Sequence, residues 1–245
     1  MLIEAETCIG CGKCAPFCTS RAIKVTQRDK AKGIEPRTEI VRDECVECQV
    51  CLRSGICPTG SLKEEELGWP RILRRAFSDP IFTHPGTDIP GRGTEEMKTN
   101  DVTGRFRDGF IGIGLEFGRP GVSTRLKDTE PAMRKLLAIG VTLEPHNPLT
   151  QLLADPTKGD LKPEVREEKV LSAIVECIVP VAKVGEVLAA VKEIAAQTPT
   201  VFSLDVISKV APDGSHPAKA VMEAAGLQRS LNGKCNVGLG RPFVA

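Results

Sequence analysis

Eight of the chain's ten cysteines fall before residue 58, in two blocks. The first reads Cys8-x2-Cys11-x2-Cys14-x3-Cys18, and the second reads Cys45-x2-Cys48-x2-Cys51-x5-Cys57 with Pro58 following. Their flanks repeat as well. Glu6-Thr7-Cys8-Ile9-Gly10-Cys11 parallels Asp43-Glu44-Cys45-Val46-Glu47-Cys48, and Thr19-Ser20-Arg21-Ala22-Ile23-Lys24 parallels Pro58-Thr59-Gly60-Ser61-Leu62-Lys63. Cys45 lies 37 positions after Cys8, so the segment is an internal duplication. Met1 is followed almost at once by Glu4, Glu6 and the first cysteines, which is not the pattern of a secretory signal. In a cytoplasmic chain, which is the expected compartment, cysteines in such numbers mean metal or redox chemistry and not disulfides.

Composition narrows the remaining classes. A chain of 245 residues with 41% hydrophobic content suits one large domain or two small ones with real cores, which excludes a disordered or collagenous polymer. The formal net charge of +1 argues against a general nucleic-acid binder. Tyrosine is absent, Trp69 is the single tryptophan and the eight phenylalanines are scattered, so no base-stacking platform is expected. No apolar run approaches the roughly 18 residues of a membrane-spanning helix.

The spacing has a chemical logic. A cubane [4Fe–4S] cluster needs four thiolates, and a tight loop with a cysteine at every third residue offers three. The fourth cysteine of each block sits past the turn, where it reaches toward the other block. Two structural zinc sites are the alternative, since four closely spaced thiolates also suit zinc. Radical chemistry on S-adenosylmethionine would call for C-x3-C-x2-C, which is absent.

On these motifs, residues 1–66 resemble a bacterial two-cluster ferredoxin domain. The resemblance implies two [4Fe–4S] clusters, one held by Cys8, Cys11, Cys14 and Cys57 and the other by Cys45, Cys48, Cys51 and Cys18. Two departures stand out. The second block has five residues, Leu52 to Ile56, before its last cysteine, so that loop is expected to bulge; Thr19 replaces the usual proline after Cys18. Residues 1–66 carry 10 Lys/Arg against 11 Asp/Glu. Free bacterial ferredoxins are generally acidic, so this balance fits a domain embedded in a complex.

The rest of the chain divides further. Residues 67–104 are rich in proline and glycine and read as an irregular linker or partner-docking arm, with a short basic helix near Arg71–Phe77 and with Trp69, Phe77, Ile81 and Phe82 as anchors. Residues 105–212 regain regularity. Strands are expected at 110–117, 141–143, 170–179 and 201–210, with one helix capped at Asp128 or Thr129 and ending at Gly140. A second helix presents Val184, Val187, Leu188, Val191 and Ile194 on one face. This β-α-β-β-α-β order resembles the ferredoxin-like sandwich of ACT-type ligand-binding domains, and residues 213–245 would form a C-terminal helix and tail. The expected class is therefore α+β, a two-cluster ferredoxin domain followed by a βαββαβ domain.

Other chemistry is sparse. Arg119 and Arg241, each in a Gly-Arg-Pro turn, could hold an anion. Glycines 112, 114 and 118 do not form a nucleotide fingerprint. His84, His146 and His216 read as solvated loop residues, Cys177 as a small core residue and Cys235 as an exposed thiol beside Lys234. The leading expectation is an electron-transfer subunit, without a complete active site of its own, that passes single electrons to or from a catalytic oxidoreductase partner. Such subunits occur in anaerobic enzyme complexes, and a soluble carrier is a second expected partner. The alternatives are a redox- or effector-sensing module and a self-contained enzyme of sulfur metabolism using Cys235.

Overall fold

The computed structural model describes residues 1–86, 88, 107–119 and 121–227. The cysteine-rich segment carries four short strands, β1 (Leu2–Ile3), β2 (Ile23–Thr26), β3 (Arg37–Ile40) and β4 (Leu62–Lys63), and one helical turn, α1 (Val50–Arg53). The duplication is visible in the backbone. β1 pairs antiparallel with β4 through Ile3 opposite Leu62, and β3 pairs with β2 through the equivalent residues, Ile40 opposite Ile23. The Glu4 N–H donates to the Ser61 carbonyl at 2.9 Å, as the Val41 N–H does to the Ala22 carbonyl at 2.8 Å.

The same left-handed turns recur in both cysteine loops. Gly10 and Gly12 have φ of 67° and 68°, and their counterparts Glu47 and Gln49 have φ of 57° and 61°. Gly10 has no alternative, because a Cβ there would lie 2.4 Å from the backbone of Pro36. A small core of Met1, Cys14, Ile23, Cys51 and Leu62 fills the centre of the segment. The longer loop before Cys57 leaves the end of α1, whose Cys51 is buried, and turns at Gly55 with φ 63°.

A second helix, α2 (Ile72–Ala76), follows. Its apolar face places Leu73 and Ala76, with Phe77, in the larger core formed by the C-terminal half. Its basic face turns back to the cysteine segment. Arg74, only 3% exposed, donates to the carbonyls of Asp43 (2.7 Å), Cys45 (3.0 Å) and Arg42 (3.3 Å) and pairs with Glu168. Arg71 reaches the buried Glu47 at 2.5 Å. Three further ion pairs cross directly between the halves, Arg125 to Asp43 at 2.5 Å and to Glu44 at 3.5 Å, and Lys169 to Glu44. Of the four apolar anchors read in this stretch, Phe77 and Phe82 pack on the chain's own core, while Trp69 and Ile81 are 55% and 70% exposed.

The C-terminal half contains β5 (Phe110–Phe117), β6 (Thr124–Arg125), α3 (Glu130–Ala138), β7 (Leu153–Asp155), β8 (Asp160–Leu161), β9 (Lys169–Val170), β10 (Ala173–Pro180), α4 (Val184–Gln197), β11 (Phe202–Ile207) and α5 (Lys219–Ala224). β5 lies between β10 and β11, antiparallel to both. Strand alternation puts Ile111, Ile113, Leu115 and Phe117 on the core face with Val175, Cys177 and Val179. The five apolar residues named on α4 are all buried there too.

Two strands differ from the sequence reading. The segment 141–143 is reduced to an isolated bridge, Leu143 to Cys177, because the N–H of Val141 closes the end of α3 on Leu136 and Pro145 follows immediately. The apolar run 170–179 is broken at Leu171, whose N–H is taken by the Ser78 hydroxyl at 2.8 Å; β9 before the break pairs with β6 and β10 after it pairs with β5.

Candidate metal centre

The eight cysteines of the two blocks surround two cavities. The first, with about 310 Å³ of empty space partly open to solvent, is lined by Cys8, Cys11, Cys14 and Cys57. The second, about 320 Å³, is lined by Cys18, Cys45, Cys48 and Cys51. Each therefore takes three cysteines from one block and the fourth from the other, which is the grouping the resemblance implies. The left-handed turns at Gly10/Gly12 and Glu47/Gln49 wrap each loop around its cavity, and the chain crosses from one cavity to the other between Cys14 and Cys18 and again between Cys51 and Cys57.

Donors at the sulfur atoms repeat with the duplication. The Ala22 N–H points at the Cys18 Sγ (3.1 Å) and the Ser61 N–H at the Cys57 Sγ (3.2 Å). Ser20 Oγ and Thr59 Oγ1 lie 3.7 and 3.6 Å from the same two sulfurs. At Cys57 such contacts favour thiolate over thiol. Desolvation raises the Cys57 thiol, but the Thr59 hydroxyl and the backbone donors at Thr59, Ser61 and Leu62 together bring it down to about 7. In the second cavity burial dominates and pushes Cys45 up to about 11 and Cys51 up to about 12. Burial raises the Cys14 thiol of the first cavity as well. Thr19, where a proline was expected, places its hydroxyl 3.5 Å from the Cys48 Sγ.

The donor set fits a cubane iron–sulfur cluster. A tetrahedral zinc site draws four thiolates to about 2.3 Å from one ion. A cubane instead places each thiolate on its own iron, and the four cysteines around each cavity offer one apiece. Thr38 lines the first cavity and Gln49 the second; both are buried, and among the described residues neither Thr38 Oγ1 nor the Gln49 carboxamide has a hydrogen-bond partner. Sequence reasoning passed over both. The duplication held a signal for Gln49, which stands where the first block has Gly12.

The remaining candidates are dispersed. Arg119 sits after β5 with its guanidinium 3.2 Å from the buried carboxylate of Glu116, so its charge already serves an internal partner. Arg241 and Cys235 lie outside the described residues. Cys177 is buried in the sheet and pushed up to about 12 by burial. His146 is exposed and His216 is half-buried. His84 is not the solvated residue expected: it is buried edge-on against Phe77, its Nδ1 accepts from the Gly86 N–H at 3.1 Å, and burial holds its pKa below the usual value. Among the described residues no helix is long and apolar enough to cross a membrane.

Comparison with known proteins agrees with the site. The family model described as a 4Fe-4S dicluster domain matches residues 7–61, less than a quarter of the chain. No curated protein and no solved structure matches with significance. The N-terminal segment is thus a ferredoxin-type iron–sulfur segment.

Proposed function

We propose that the chain is an electron-transfer subunit that carries two [4Fe–4S] clusters, one on Cys8, Cys11, Cys14 and Cys57 and one on Cys18, Cys45, Cys48 and Cys51, and passes single electrons to or from a catalytic oxidoreductase partner. The carrying observation is the pair of four-cysteine cavities, each completed by a cysteine from the opposite block. A bound cluster supplies a one-electron couple whose potential the protein tunes through hydrogen bonds, burial and nearby charge. The residues of this chain supply that environment. Ile3, Ile9 and Leu62 screen the first cavity from water, and Met1, Phe17, Ile23 and Ile40 screen the second. The backbone donors at Ala22 and Ser61 offset the negative charge on Cys18 and Cys57.

The C-terminal half is read as a ferredoxin-like βαββαβ sandwich that docks the subunit to its partner. Supporting this are β5 between β10 and β11, helices α3 and α4 between successive strands, and the Leu143 bridge on the outer side of β10. A soluble electron carrier is the second expected partner.

Anaerobic purification from the native source, with metal analysis and mass spectrometry of co-migrating chains, tests the reading. The expected result is about eight irons per copy of this chain, once the partner's own metal is subtracted, together with a larger catalytic subunit. Zinc in place of iron would refute the cluster assignment, and iron-replete protein that migrates alone would refute the subunit role.

A further inference from the structure

The two cavities are related by the duplication, so donors present in both cancel when they are compared. The Ala22 and Ser61 N–H groups are such a pair, and so are the Ser20 and Thr59 hydroxyls. Thr38 and Gln49 are not. The position equivalent to Thr38 is Met1 in the second cavity, and the position equivalent to Gln49 is Gly12 in the first. Ser61, whose counterpart is Ala22, also lines the first cavity, but its hydroxyl is already bonded to Thr59 Oγ1 at 2.7 Å. Each cavity therefore has one buried, unpartnered polar side chain that the duplication did not supply to the other.

Both side chains are more than nine-tenths buried, at 5% exposure for Thr38 and 3% for Gln49, and among the described residues neither has a hydrogen-bond partner. A buried hydroxyl or carboxamide left without a partner costs about 1–3 kcal/mol. Gln49 adds a second cost, since its backbone has φ 61° where the first block uses glycine. These costs call for a compensating contact, and each side chain faces a cavity ringed by thiolates. A cubane with four thiolates offers only sulfur acceptors, so the groups that can engage it are the Thr38 hydroxyl hydrogen and the Gln49 Nε2–H.

We propose that Thr38 and Gln49 each donate a hydrogen bond to the sulfur atoms of the cluster in its own cavity and thereby set the two reduction potentials independently. This rests on the two-cluster reading above. Reduction adds one electron to a cluster and breaks no bond, so the reduced form carries the greater negative charge and the donor stabilises it more than the oxidised form. Each donor therefore raises the potential of its own cluster. Thr19, whose hydroxyl approaches Cys48, is exposed and competes with water for that role.

The test is an EPR-monitored potentiometric titration of the anaerobically purified full-length holoprotein, with iron counted in every sample. Thr38→Val keeps the shape and removes the donor; Gln49→Met keeps the length and removes the carboxamide. Each is expected to lower one couple, a different one in each variant, by about tenfold in the reduction equilibrium, or ~59 mV for a one-electron couple. Thr38→Ser, which keeps the hydroxyl, should leave both couples in place. If Gln49→Met loads iron poorly, Gln49→Gly carries the test, because glycine is native at the equivalent position and relaxes the left-handed backbone. A resonance Raman shift of Fe–S stretches on exchange into deuterium oxide should weaken in the two donor-free variants. Iron-replete variants whose couples do not move, or in which both couples move together, overturn the proposal and leave the two-cluster reading standing. About four irons per wild-type chain, or zinc, overturns both.

Discussion

Replacing Arg74 by methionine removes the side chain that binds most tightly across the two halves of the chain. The guanidinium is 3% exposed and serves Glu168 together with the carbonyls of Asp43, Cys45 and Arg42. Breaking a buried ion pair by removing one partner costs about 3–5 kcal/mol, and the lower figure applies because Glu168 keeps some solvent contact. The Arg42 carbonyl retains the Arg71 donor at 3.0 Å, so it adds little. The Asp43 and Cys45 carbonyls lose a donor at about 1 kcal/mol each, which brings the total to about 5 kcal/mol. Loss of an iron–sulfur cluster in denaturant is irreversible, so the observable is a rate. With about half of the loss falling on the unfolding barrier, bleaching of the visible iron–sulfur absorbance in urea should accelerate by roughly ten- to a hundred-fold. Arg74→Lys keeps the charge but lacks the planar fork that meets several acceptors at once, and should fall between the two. Bleaching of Arg74→Met within about threefold of wild type would refute the view that this guanidinium fastens the cysteine segment to the C-terminal half.

Two other perturbations probe different parts of the structure. Gly10→Ala forces a Cβ to 2.4 Å from the Pro36 backbone at a φ of 67°, so it should spoil the first cavity and spare the second; iron per chain should fall by about half, and full iron content would show that the loop yields. His84 is held neutral by burial from a reference value of 6.5, so its contribution to stability is complete above that value and is lost as pH falls toward the folded-state pKa. Melting followed by circular dichroism should fall between about pH 7.5 and 5.5 in wild type. The slope should be shallower in His84→Leu, and equal slopes would contradict a neutral buried imidazole.

Much of this protein is local in origin and so was legible in one dimension. The cysteine spacing and the 37-residue duplication carry the ferredoxin resemblance, and the four thiols that resemblance groups together line one cavity each. Apolar alternation located β5 and β11, and helical spacing located α4, since both periods arise from backbone geometry. Other features depend on partners far along the chain. Val141 left the sheet because its N–H closes α3, and the run from Val170 divided because Ser78, distant in sequence, takes the N–H of Leu171. In sequence α2 reads only as a short basic helix, yet Arg74 is buried on Asp43, Cys45 and Glu168, and His84 is buried on Phe77. Thr38 and Gln49 are ordinary polar residues until folding encloses them without a partner. Hydrogen-bond satisfaction and burial are properties of the packed chain, so only the tertiary structure decides which polar groups are already engaged and which still face the cavities of the metal centre.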